Sequence, residues 1–236
     1  MKAFSKFSFK SGKVAELDRQ FPSYLSAWEH GEPTELCDED THFLYFHRGG
    51  SLLFGELEYR MMAGMYASVP GRCMVAGAGI AMSREGYKGF FQIGGPAEQE
   101  GRLNYIDGCT DSLLIPPVMK GDPCLNLLYF PPGIDQTSHT HPSDRIGMIM
   151  SGHGLCHFDN DGITETVELD EGTIFCIHAT GEHKFSTPYG EHMRVLAYHP
   201  DSDFGPTNTV HPMINRTMVN GISASLLPDI QTKTSA

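Results

Sequence analysis

From His42 onward the chain is cut into short apolar runs, each ended within eight to twelve residues by Gly, Pro, Asn or Asp. That punctuation leaves no room for long helices and predicts many short antiparallel strands in a sandwich or barrel. Thr41–Tyr45, Ser51–Arg60, Met74–Met82, Gly89–Ile93, Asp111–Ile115 and Leu125–Phe130 read as strands in the first stretch. Ile146–Met150, Gly154–Asp159, Glu165–Leu169, Thr173–Ile177, His183–Ser186 and Met193–Tyr198 continue the series. Asn160-Asp161-Gly162 is a hairpin signal, because these residues tolerate the positive φ that tight loops demand. Before His42 the spacing of Val14, Leu17, Phe21, Leu25 and Trp28 predicts one amphipathic helix over 13–28. The expected organisation is a helical or extended segment at 1–40, a β domain at 41–118, a second at 119–205 and an arm at 206–236.

Composition narrows the partners. With 17 Lys plus Arg against 29 Asp plus Glu and a net charge of −12, the chain lacks the clustered cations that nucleic acid requires. No run reaches the roughly 18 apolar residues of a membrane span, and MKAFSKFSFKSGK has no apolar core of a secretory signal, so a cytoplasmic location is expected. Six cysteines without a C-x-x-C pair read as reduced, mostly buried thiols. Gly77-Ala-Gly79 lacks the third glycine and following helix of a dinucleotide loop.

Histidine is the informative excess. Eight of the twelve fall between residues 119 and 200, whereas 42–118 holds only His42 and His47. His139 and His141 stand two apart before an apolar run, so on an extended strand both imidazoles face one way and can approach one metal ion. A third ligand must come from a neighbouring strand, and His183 follows a turn at Asp170-Glu171-Gly172.

Here the sequence resembles the cupin superfamily. Its first motif places Gly, His-x-His, Glu and Gly at the spacing of Gly133, His139, His141 and Gly152, and its second places Gly and His at Gly172 and His183. The motifs cover 133–187 directly, and the strand pattern extends the likeness to roughly 120–200. This sequence departs in three respects. Arg145, or Ile146 under the longer spacing, stands where the motif has Glu; His178 and Thr180 stand for Pro and Gly; Thr187 stands for Asn. The resemblance implies an all-β jelly-roll barrel, preceded by a degenerate second barrel, with His139, His141 and His183 holding a divalent transition metal. Iron(II) is expected, with zinc, nickel and manganese as alternatives.

Three neutral imidazoles leave the metal's charge uncompensated and several positions open, which favours an anionic, chelating substrate. Arg145 would meet that anion, the competing role being a salt bridge with Asp144, Asp135 or Glu182; Asp144 could instead turn inward as a carboxylate ligand. His178 is a candidate group beside the centre, and Gln136, His153, His157, Tyr105 and Arg102 are candidate substrate contacts. The implied activity is a dioxygenase using O2 on a small metabolite, in a homodimer. A redox-neutral isomerase, epimerase or lyase of the same fold is the alternative, as is a non-catalytic binding module, favoured if His183 points away from the other two.

Overall fold

The computed structural model describes residues 2–17, 20–203 and 212–230. Contacts divide the chain into two compact units, 1–116 with 123–201, and 117–122 with 202–236. The first is built almost wholly of antiparallel strands, in sheets of nine, six and four.

The six-stranded sheet runs in the order Gln92–Gly94, Met65–Pro70, Thr41–Phe46, Gly79–Arg84, Ser23–Trp28, Gly12–Leu17. The four-stranded sheet joins Thr34–Leu36, Cys73–Gly77, Gly50–Phe54 and Leu57–Met61. Period-two alternation splits the central strand between two cores. Leu44 and Phe46 enter the core closed by the four-stranded sheet, with Trp28, Leu52 and Val75. Phe43 and Tyr45 enter a second core shared with Leu125, Ile146, Met148 and Tyr198 from later in the chain. Every residue of Thr41–Phe46 is therefore buried.

The nine-stranded sheet centres on the 16-residue strand Arg145–Asn160. Its first part pairs with Ile174–Ile177 and Met193–His199, its second with Ile163–Asp170 and His183–Ser186. A register shift between Ile149 and Ser151 lies just before Gly152, whose φ is +81°. A Cβ there would collide with the His192 carbonyl, so the motif glycine lets the strand bend and close the barrel. Ile149, Phe175, Ile177, Phe130 and Val195 fill the interior.

The expected helix over 13–28 is not formed. Gly12–Leu17 and Ser23–Trp28 are paired strands, with a register shift between Lys13 and Ala15. Pro22 is the reason: it has no N–H to give a helix interior and suits the connection instead. The segment 1–40 is also not a separate element, since Phe4–Phe7 pairs with Ile174–Ile177 and completes the nine-stranded sheet. Two expected single strands are each split. Ser51–Arg60 turns at Gly55, φ +62°, and Met74–Met82 breaks between Gly77 and Gly79. A Cβ at Gly79 would strike the Tyr45 carbonyl and the Trp28 ring, so Gly77-Ala-Gly79 serves close backbone packing. Of Gly89–Ile93 only the end is strand, at Gln92–Gly94. The hairpin at Asp161-Gly162 has positive φ at both residues, 54° and 84°. Within the second unit, the expected arm holds the helix Pro212–Arg216 and a two-stranded hairpin, Met218–Val219 with Ile222–Ser223.

Candidate metal centre

His139 and His183 are held opposite each other by reciprocal backbone hydrogen bonds, N–H to O, of 2.9 and 3.0 Å. With His141 their rings stand 4.6–5.1 Å apart, centroid to centroid. One ring nitrogen from each lies within 4.8 Å of the others. His183 is buried, and His139 and His141 are half-buried. His183 thus points at the other two, removing the orientation that would have favoured a plain binding module.

The tautomers follow from the acceptors. His139 Nδ1 lies 2.8 Å from the Thr137 carbonyl and His183 Nδ1 3.0 Å from the Gly181 carbonyl. A carbonyl only accepts, so each Nδ1 carries the proton and each Nε2 keeps its lone pair for a metal. Burial pushes His141 down to about 3, helped by Arg145 and the neighbouring imidazoles, and His183 down to about 4. Both rings are neutral at pH 7, as ligands must be. The donor set fits a divalent transition metal.

These shifts have a consequence for stability. The unfolded chain protonates these histidines near 6.5, the folded one only near 4 and 3. Their contribution is complete above about pH 6.5 and is lost as pH falls toward 4. The thermal midpoint of metal-free protein is expected to drop steadily between about pH 7 and pH 5; a flat profile would contradict the burial of these rings.

The triad lines a small pocket of about 60 Å3, the space open to the centre of a water-sized sphere. Its walls are mostly apolar, with Leu128, Phe130, Ile146, Phe175, Phe185 and Val195. Arg145 lines this pocket and Asp144 lines a separate groove with His178. Arg145 Nη1 donates to Ser143 O, Ser143 Oγ and Asp144 O at 3.0, 2.7 and 3.1 Å. These acceptors are neutral, and among the described residues the buried Nε has no partner. Burial lowers the guanidinium's pKa, yet arginine keeps its charge in proteins.

Of the other expected contacts, Gln136 and Tyr105 line the pocket. Gln136 is fixed by its Oε1 accepting from Phe185 N, 3.3 Å, and its Nε2 near Cys109 Sγ, 3.5 Å. Arg102, His153, His157 and His178 do not reach it. The Arg102 side chain is 80% exposed and its Nε grips both Glu98 oxygens. His153 and His157 share a face, but the outer one: inward positions on that strand are Cys156 and Phe158. His153 bonds Asp170, and His157 bonds Thr166 and Ser186. His178 lies on the far side of its strand against Ser5. Thr180, in the motif's glycine position, adopts φ +62°, a strained value for a β-branched residue; its N–H bonds the His141 carbonyl at 2.7 Å and ties the two motifs together.

Sequence reasoning missed His199 and Asp111. Both line the pocket. Burial holds His199 well below its ordinary pKa, with Arg145 and His141 adding to the effect. It raises the Asp111 carboxyl, although Asn126 Nδ2 donates to it at 2.8 Å. Extending the alternation Val195, Ala197 by one step would have placed His199 inward.

No protein-family model matches the chain, and no curated protein matches it. Solved structures do. An IolB-like protein from Salmonella typhimurium aligns with TM-score 0.62 at 14% identity, over 84% of this chain and 92% of that one. A Cupin 2 conserved barrel domain protein from Leptotrichia buccalis aligns with TM-score 0.55 at 16% identity, over 81% and 90%. Salicylate 1,2-dioxygenase from Pseudoaminobacter salicylatoxidans, solved with gentisate, aligns with TM-score 0.56 at 11% identity, over 76% and 68%. Among the described residues no helix is long and apolar enough to cross a membrane. The sheets, their order of pairing and these likenesses agree, and the chain has the all-β barrel fold of the cupin superfamily.

Proposed function

We propose that the protein is a metal-dependent oxidoreductase, a non-haem iron(II) dioxygenase acting on a small anionic, chelating metabolite. One observation carries the reading: three imidazoles, each with a ring nitrogen aimed at the others, share an apolar pocket with half-buried Arg145, whose buried Nε has no partner among the described residues. Iron(II) bound there would supply the redox chemistry that joins substrate and dioxygen. The chain's own residues bind and orient. Arg145 pairs with the substrate's anionic group and offsets its charge, which the neutral ligand set would otherwise leave to the metal alone. Leu128, Phe130 and Phe175 exclude water and pack the substrate's apolar body. Gln136, fixed by its own hydrogen bonds, limits how the substrate can turn.

The test is oxygen uptake by protein loaded anaerobically with iron(II), offered small thiols, diketones, hydroxy acids and aromatic carboxylates. Uptake dependent on both iron and one anionic compound is expected. A second reading has its own support: Asp111 and Tyr105 line the same pocket, and burial raises the pKa of both, so each can hold a proton for redox-neutral isomerase or lyase chemistry. Turnover indifferent to oxygen and sustained by zinc, nickel or manganese would establish that reading over the first. Gel filtration and scattering would check the expected homodimer.

A further inference from the structure

On the face of the sheet opposite the histidine triad, Asp144, Cys176 and His178 bring a carboxylate, a thiol and an imidazole to within 4.8 Å of one another. Strand register makes the cluster. Cys176 and His178 are two apart and share a face, Ser5 pairs opposite Cys176, and Ile146, two beyond Asp144, pairs opposite Cys176 on the other side. Asp144 and Cys176 are buried, and His178 is 28% exposed toward a groove lined also by Lys2, Glu16 and Glu85.

The distances discriminate between uses. His178 Nδ1 lies 3.7 Å from Asp144 Oδ2 and 3.8 Å from Cys176 Sγ. The first is too long for a hydrogen bond, so the Ser5–His178–Asp144 array is not a proton relay of the serine-hydrolase kind. Zinc bonds nitrogen or oxygen at about 2.0–2.2 Å and sulfur at about 2.3 Å, which in a tetrahedron sets N and O about 3.3 Å and N and S about 3.5 Å apart. The observed separations exceed those edges by only a few tenths of an ångström. The surrounding bonds suit ligands as well. Ser5 Oγ, 2.7 Å from His178 Nε2, can accept its proton and leave the Nδ1 lone pair facing the thiol and carboxylate. Ala179 N–H donates to Asp144 Oδ1 at 2.8 Å and orients Oδ2. Hydrogen bonds of this kind fix metal ligands from behind.

We propose that Asp144, Cys176 and His178 form a second metal site, for a thiophilic divalent ion of the zinc class, with its fourth position open to the groove. Thiolate and carboxylate together neutralise a dication, so this site is electrically closed where the triad is not. Binding sends the Cys176 thiol proton to solvent.

Cobalt(II) titration of the metal-stripped full chain tests this, because a thiolate ligand gives cobalt an intense near-ultraviolet charge-transfer absorption. Wild type is expected to take two equivalents, and His183→Ala one, with the absorption intact and abolished by added zinc. Cys176→Ser should keep the triad's equivalent and lose the absorption. Because Cys176 is buried, His178→Gln is a second arm, expected to weaken the thiolate-bound cobalt at least 10-fold. No thiolate absorption in His183→Ala, its survival in Cys176→Ser, or unchanged affinity in His178→Gln would each overturn the proposal.

Discussion

Replacing His183 with alanine is expected to weaken metal binding in the pocket by more than about 100-fold. Groups that merely orient ligands are worth about 10–100-fold, and His183 is a ligand candidate fully buried against Phe185. The two remaining imidazoles gain no carboxylate from the motif position, which Arg145 occupies. Anaerobic iron(II) binding followed by calorimetry measures the loss, with His153→Ala as the control, because His153 bonds Asp170 on the outer surface. Near-wild-type iron affinity in His183→Ala would remove the triad from consideration as a metal centre. Oxygen uptake should fall with iron occupancy.

Arg145→Met should act on the other half of the site. A hydrogen bond to a charged group contributes about 1.5–3 kcal/mol, so the apparent affinity for anionic substrates is expected to fall about 10–100-fold. Metal affinity should hold or rise, because the guanidinium repels positive charge at the triad, as its lowering of the His141 and His183 pKa values shows. Arg145→Lys is expected to recover only part of the loss, since an ammonium cannot reproduce the planar fork. The opposed movement of substrate and metal affinity is the signature. A variant in which both fall together would make Arg145 a structural support for the pocket and nothing more.

Much of this centre can be read from the sequence because strand periodicity is local. His139 and His141 must share a face once the segment is extended, and Arg145 or Asp144, not both, can join them. Which of the two does so depends on which face of the sheet encloses the pocket. Ile146 and Met148 on one side and Ile149 on the other are all buried, so hydrophobicity does not mark the inside. The same symmetry conceals His199 and lets His153 and His157, on an outer face, pass for pocket residues. The N-terminal hairpin misleads for another reason: Val14, Leu17, Phe21, Leu25 and Trp28 fall at helical spacing although two belong to one strand, two to the next and Phe21 to the turn between them, and Pro22 was the local sign against a helix.

The pairing of Phe4–Phe7 with Ile174–Ile177 bears on how the chain reaches its fold on the ribosome. Phe4–Phe7 cannot pair there until some 170 further residues have emerged, a sequence separation that slows folding and leaves apolar edges open meanwhile. Phe4 stacks on Phe158 and Phe175 in the finished molecule, so this aromatic cluster is complete only once that pairing has formed. A bulky group attached beside Phe4 therefore threatens the nine-stranded sheet more than the six-stranded one.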